Sequence, residues 1–259
     1  MTLSAPKSVS VMALVAGDER LMAAHRSAVK TTMAFVEKHM AATRLREGDS
    51  VVRQSTGNLA IASFQHGTSR AQDPQLHSHN VILNMTRDAS GQWRSLEPRA
   101  LYQMQKQVGA IYRQELASQV SALGYAISTG KDSAFEIAGV TKALLEGFSA
   151  RSHAIEMRLA ERGTSRQEAS AREKQIAALD TREAKGTIDH KALRQDWQAR
   201  AALLGFGDKE QAELITAAEE RALDPEFKQA MDDMSVLHAQ RAVDFAIATL
   251  SERQSVFAH

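Results

Sequence analysis

The sequence predicts an α+β fold: an antiparallel sheet flanked by helices, with a helical C-terminal extension. Three observations carry that reading. Between residues 51 and 94, short apolar runs alternate with turn-forming clusters, the mark of strands joined by tight connections. Around this region apolar residues recur at three- and four-residue steps, the helical period. From Gly139 onward only the helical pattern continues. Strands that follow one another directly favour an antiparallel sheet over a doubly wound parallel one.

Taken in order, Pro6 suits the first turn of a short helix that runs to Val15 and stops at Ala16-Gly17. A longer helix is predicted over Asp18–Thr43, striped by Met22, Val29, Met33, Val36 and Met40. Arg46-Glu47-Gly48-Asp49 reads as a turn and Val51-Val52-Arg53 as a strand. Gly57–His66 is a second strand, with Ala60, Ala62, Phe64 and His66 on one face. Gly67–Gln75 reads as a loop, His77–Asn84 as a strand, Thr86–Gly91 as a turn, and Gln92-Trp93-Arg94 as a short strand. Pro98 opens a helix to Leu123, and a hairpin joins Gly124–Ser128 to Ala134–Ile137. Further helices are expected over Gly139–Arg162, over Thr164–Lys185 with Thr164 and Gln167 as a capping box, and over His190–Leu204 with Leu193, Trp197 and Leu204 inward. Residues 206–235 read as short helices or a linker, Val236–Leu250 as a last helix, and Ser251–Gln254 as the cap of another.

At 259 residues the chain fits one large domain, or one domain and part of a second. No apolar run approaches the length of a membrane span, and the first residues do not form a signal peptide. The absence of cysteine excludes disulfides and thiolate zinc sites and accords with a cytoplasmic location. Net charge is +1, so the chain as a whole is not a polybasic nucleic-acid binder. The charge is uneven, however. Residues 1–120 carry 14 Lys/Arg against 9 Asp/Glu, and residues 121–259 carry 18 against 22. The positive excess suits a phosphate-bearing substrate.

It falls on the half that contains Phe64-Gln65-His66 and Leu76-His77-Ser78-His79-Asn80. Side chains two apart on a strand share a face, so His77 and His79 converge, and a short connection lets His66 join them from a neighbouring strand. Three imidazoles on one sheet face form a divalent-metal site with coordination positions left open. Zn²⁺, Mn²⁺, Ni²⁺ and Mg²⁺ are candidates, although three nitrogens suit Mg²⁺ poorly. Neutral ligands leave the ion's charge free to polarise a phosphate oxygen. A hydrolytic site would also want a general base. The nearest acids, Asp73 and Asp88, lie in turns, and Asp73 is read as a loop-shaping residue.

The stretch from His66 to Asn84 resembles the three-histidine motif of MobF-type conjugative relaxases, DNA strand transferases fused to helicases in plasmid mobilisation. Leu3-Ser4-Ala5-Pro6-Lys7-Ser8-Val9-Ser10, the run from Gln92-Trp93-Arg94 to Leu101, Glu146-Gly147-Phe148-Ser149 and Ser251–Phe257 resemble the same family. The resemblance implies a palm-like antiparallel sheet on which His66, His77 and His79 hold a divalent cation against the scissile phosphate of single-stranded origin-of-transfer DNA. A tyrosine attacks that phosphate, becomes joined to the 5′ end and leaves a 3′ hydroxyl. In the family the nucleophilic tyrosines precede the segment that resembles residues 3–10, and an aspartate stands just before it.

The resemblance therefore implies that residues 1–205 are a relaxase-like domain without its N-terminal strand and nucleophile, inactive alone, with an unpaired sheet edge. Residues 206–259 would lead toward a helicase region, and no Walker motif occurs in the chain. Relaxosome accessory and coupling proteins are further implied partners of a domain expected to be monomeric. Two other readings stand beside this one: a metal-dependent single-stranded DNA-binding module that does not cut, and a metal-dependent phosphoester hydrolase.

Lys7, Arg70, Arg87 and Arg94 are the candidate DNA contacts, and Arg99 extends the basic surface. Trp93 is read first as a core residue and second as a platform for a base. Tyr102, Tyr112 and Tyr125 are expected to pack in the core or a groove. His25 is expected to be a packed histidine, and His39, His153, His190 and His238 to be structural or on the surface.

Overall fold

A computed structural model describes residues 1–130, 133–181 and 189–233. The predicted helix over Val236–Leu250, the cap at Ser251–Gln254 and His238 lie outside the described residues.

The central sheet has three antiparallel strands: β1 (Thr2–Ser4), β4 (Ile61–Thr68) and β5 (Pro74–Ile82), in the order β1-β5-β4. β1 leaves little trace in the sequence, because three residues cannot display a period. Its Leu3 nevertheless reaches the core, and Ala5 N–H donates to Leu76 O at 2.9 Å. Among the described residues, no strand pairs with the far edge of β4. The ladder shifts register between His66 and Thr68, so the bulge falls at Gly67. A Cβ at Gly67 would stand 3.3 Å from the Leu14 side chain. Only a short connection, not a loop over Gly67–Gln75, separates β4 from β5.

One face of this sheet lies on α1 (Lys7–Leu14) and α2 (Glu19–Met40). The Asp18 carboxylate accepts from Arg20 N–H and caps α2. Leu21, Ala24, Ala28, Val29, Met33, Val36 and Met40 form its buried stripe. α2 ends three residues before the expected Thr43. Thr43 Oγ1 donates to Ser95 O at 2.9 Å, and Glu97 N–H donates to Ala42 O at 2.7 Å, which draws residues 42–47 into β2 (Ala42–Glu47). β2 pairs with β3 (Ser50–Ser55) as a two-stranded ribbon. The short strands β6 (Thr86–Arg87) and β7 (Trp93–Arg94) form a second ribbon.

The helix predicted from Pro98 is two helices, α3 (Arg99–Gln103) and α4 (Gln105–Ala122), separated by Met104 in a non-helical conformation. α4 packs on α2 through Val108, Tyr112, Leu116 and Val120. The hairpin of β8 (Ile127–Thr129) and β9 (Phe135–Ile137) is tied to α1. Ser8 N–H donates to Glu136 Oε2 at 2.8 Å, and Ile137 N–H donates to Ser8 Oγ at 2.7 Å.

The helix expected over Gly139–Arg162 is also two, α5 (Lys142–Gly147) and α6 (Ala150–Ala160). Asp73, buried in the turn before β5, accepts from Ala150 N–H at 2.8 Å and so holds the start of α6. α7 (Ala171–Asp180) is capped by Ser170 and Glu173, not by Thr164 and Gln167. With α6 it forms a small separate cluster around Leu159, Ala169 and Ala177.

α8 (His190–Leu203) buries Trp197, whose indole donates to Gln72 O at 2.7 Å, while Leu204, just past its end, is 38% exposed with its side chain against Gly147. Residues 208–223 are one continuous helix, α9 (Asp208–Leu223), not short helices or a linker. Its Ala218 lies against Gly124, and Glu219 pairs with Arg20 at 3.0 Å.

Candidate metal centre and nucleic-acid face

His66 stands directly across from His77, and Phe64 across from His79, in the β4–β5 ladder. On the other side of β5, Thr2 pairs with His79 and Ser4 with His77. Strand alternation puts all six side chains on one face, while Leu76, Ser78 and Asn80 point into the core. The three imidazole centroids are 5.4 Å (66–77), 5.2 Å (66–79) and 5.0 Å (77–79) apart.

With metal–nitrogen bonds of about 2.0–2.1 Å, ring centroids sit roughly 3.2 Å from the ion, and tetrahedral angles separate them by about 5 Å. The triangle therefore has the right size. Among the described residues, as the side chains stand, no group of three or more His, Cys, Asp or Glu is arranged to hold a metal ion.

In two of the three rings one nitrogen is already used. His77 Nδ1 lies 2.9 Å from Gln75 O; a carbonyl only accepts, so Nδ1 carries the proton and Nε2 keeps its lone pair. His79 Nδ1 lies 2.9 Å from Thr2 Oγ1, leaving its Nε2 for a ligand. Burial lowers the pKa of His79, and His77, His66 and the terminal amine push it the same way. This favours the neutral His79 imidazole, the form that binds metal.

Neither candidate general base serves the cluster. Besides capping α6, Asp73 pairs with Arg200 at 3.1 Å. Asp88 accepts from Ser90 and Arg94, and those bonds hold its carboxyl well below the usual range.

The histidine face is open at His66 and His79, while His77 is only 9% exposed. A groove of 510 Å³ lies between α2 and β4, lined by Arg26, Met33, Leu59 and Ile61 among others, but it is on the opposite face of the sheet. An open face suits a polymer better than a small molecule.

The predicted DNA contacts divide. Lys7 is half-buried and its Nζ donates to Pro74 O at 3.0 Å. Burial lowers its pKa against the pull of Asp73 and Glu136, so it ties α1 to β5 rather than standing at the surface. Arg70 is half-buried in the turn before β5. Arg94 is paired with Asp88 at 2.7 Å, and Arg99 lies 3.7 Å from Glu97.

Arg87 is exposed and lies over the Trp93 ring, 5.6 Å from its centroid. Trp93 is not a core residue; it is 59% exposed. Tyr102, expected to pack, is 71% exposed, whereas Tyr112 and Tyr125 are buried. Tyr112 bonds with His25, and Tyr125 donates to Asp18.

Arg44, Arg46 and Arg53 were not among the expected contacts. All three are exposed on one face of the β2–β3 ribbon, and Arg44 and Arg53 are directly opposed. Like charges so placed repel, and an anion between them relieves the repulsion. The signal was available, because the alternation Arg44-x-Arg46, the turn at Gly48-Asp49 and Arg53 on the return strand describe a basic ribbon.

Known proteins place this face in context. The model of the TrwC relaxase family matches residues 1–204. The multifunctional conjugation protein TraI of Escherichia coli (strain K12) is 36% identical over 269 residues, covering the whole chain but only 14% of TraI. Conjugative relaxase TrwC in complex with oriT DNA, metal-free, superposes with a TM-score of 0.77 at 43% identity over 79% of this chain and 72% of that one. The copper-bound complex of TrwC with oriT DNA gives 0.77 at 42% identity over 80% and 70%.

Proposed function

Since the chain belongs to the TrwC relaxase family, we propose that it is the metal- and DNA-binding part of a conjugative relaxase acting on single-stranded origin-of-transfer DNA. The observation that carries this reading is the convergence of His66, His77 and His79 on one sheet face. Relatives bind oriT DNA, and one of them has been seen with copper, which supports it.

His66, His77 and His79 would hold a divalent cation, with Nε2 of His77 and His79 as donors and Gln75 O and Thr2 Oγ1 orienting the rings. Bound there, the ion supplies Lewis-acid polarisation of a phosphate oxygen. Arg44, Arg46, Arg53 and Arg87 neutralise neighbouring phosphates, and Trp93 stacks a base. A two-stranded ribbon also fits the major groove of any duplex flanking the single strand.

A specific observation favours binding without cutting by this 259-residue chain. Tyr112 and Tyr125 have buried hydroxyls already bonded to His25 and Asp18, and burial pushes both phenols above their usual range. Neither is a free nucleophile. Tyr102 is exposed on α3, and among the described residues no acid or histidine bonds to its hydroxyl to activate it.

The test is incubation with an origin-of-transfer oligonucleotide and Mn²⁺, read by fluorescence anisotropy and by denaturing gel. Salt-sensitive binding that EDTA weakens, with no covalent band, is the expected result. A tyrosyl–DNA adduct mapped to Tyr102 would replace this reading with a cutting one. Loss of the EDTA effect would remove the metal from it.

A further inference from the structure

Beneath the HxH strand, on the face opposite the three imidazoles, buried polar side chains form a connected line. Tyr112 comes from α4, His25 from α2 and Ser78 from β5, and each is at most 4% exposed. The Tyr112 hydroxyl lies 2.6 Å from His25 Nδ1, and His25 Nε2 lies 2.8 Å from Ser78 Oγ. Hydroxyls donate or accept as required, so both ring nitrogens are satisfied in either tautomer. The helix face around His25 is otherwise apolar, with Leu21, Ala24, Ala28 and Val29. Burying three polar groups there costs free energy that a leucine at position 25 would avoid. The line ends on the residue between His77 and His79.

We propose that His25 is a positioning residue for the three-histidine site. Ser78 points inward and its two neighbours outward, so fixing the depth and orientation of Ser78 fixes the Cα–Cβ directions of His77 and His79. His25 does this from behind, braced by Tyr112, and does not touch the ion. Among the described residues, His25 is the only helix side chain bonded to Ser78, so without it the polar hold on β5 at this point is left to its ladders to β1 and β4, and β1 is three residues long. This inference rests on the reading of His66, His77 and His79 as a metal site.

The test measures Ni²⁺ affinity by isothermal titration calorimetry, with thermal melts on the same samples. The proteins are wild type, Tyr112→Phe, Ser78→Ala, His25→Leu and the double variant Ser78→Ala/His25→Leu. Removing a group that orients metal histidines typically weakens binding 10–100-fold, so acting through one residue His25→Leu should cost about tenfold. Tyr112→Phe and Ser78→Ala should weaken binding in the same direction. The double variant should bind no worse than His25→Leu, since both changes cut one line.

A merely structural role would lower the melting temperature and leave the Ni²⁺ affinity of the folded protein unchanged, and that pattern overturns the proposal. Tyr112→Phe and Ser78→Ala each remove a single oxygen, so they decide the matter even where His25→Leu does not fold. Wild-type protein that takes up no Ni²⁺ sinks the metal reading itself, and this inference with it.

Discussion

His66 and His77 are direct cross-strand partners on one sheet face, with ring centroids 5.4 Å apart, the first exposed and the second buried. Because the ladder fixes their separation, the two rings can share an ion without any loop closing over them. Replacing His66 or His79, both exposed, by alanine should weaken Mn²⁺ or Ni²⁺ binding by at least about tenfold, since one of three donors is removed. Neither change should alter the melting temperature by more than a few degrees. Calorimetric titration beside circular dichroism melts checks both; undiminished affinity in either variant takes that histidine out of the site.

Arg44→Ala should weaken DNA binding and leave the fold unharmed. Its partner across the ribbon is Arg53, so its removal relieves a like-charge pair. Arg53 is the less clean choice because it lies 3.5 Å from Glu97. If the Arg44 guanidinium neutralises one phosphate, its removal should reduce the slope of log K against log salt by about 0.7–0.9. Anisotropy titrations at several salt concentrations measure that slope, and an unchanged slope means Arg44 touches no phosphate.

What could be read in advance follows the range of the forces involved. The HxH pair was legible because strand periodicity is local, and His66 joined it because only a short turn at residues 69–73 intervenes. The break between α5 and α6 was not legible. It depends on Asp73, 77 residues away, offering its carboxylate to Ala150 N–H. The end of α2 is likewise set from a distance, by Ser95 and Glu97. Trp93 misled because aromatic residues usually bury their area; here the ring supports Arg87 at the surface instead.

Trp93→Ala tests that surface role. An exposed ring contributes little to stability, so the melting temperature should stay within a few degrees of wild type. A base stacked on the ring is worth about 1–3 kcal/mol, so affinity for single-stranded DNA should fall roughly 5- to 150-fold. A large drop in stability with unchanged DNA affinity would return Trp93 to a packing role.

Acid should destabilise the fold through His25. Burial, with His77 and Arg26 adding to it, pushes this imidazole down to about 4. Its pKa is lower in the folded state, so the unfolded chain binds the extra proton first as pH falls. The stabilisation is complete above about pH 6.5 and is lost progressively toward pH 4, roughly 3 kcal/mol in all. Urea unfolding across pH 7 to 4 should show this slope, and Tyr112→Phe or His25→Leu should change it. A His25→Leu protein with the wild-type slope would assign the acid sensitivity to other groups.

The attachment of α9 depends on Gly124. Its φ is +88°, and a Cβ there would lie 1.9 Å from Ala218 O and 2.9 Å from Ala222 N, both backbone atoms of a helix. Gly124 O also accepts from Arg221 Nη1 at 2.7 Å, so the contact is closed from both sides. Alanine at 124 must push α9 away, which separates Arg20 from Glu219 and uncovers Ala218. Gly205 supplies the control, since it has φ +75° but open space around its would-be Cβ. Gly205→Ala should cost only the left-handed strain, about 1–2 kcal/mol. Gly124→Ala should cost clearly more in urea unfolding and should open the chain to proteolysis near residues 205–208. Equal losses in the two variants would mean that α9 is not held by this contact. Because the three histidines lie on strands that α9 does not form, Ni²⁺ affinity of the folded Gly124→Ala protein should stay at the wild-type value.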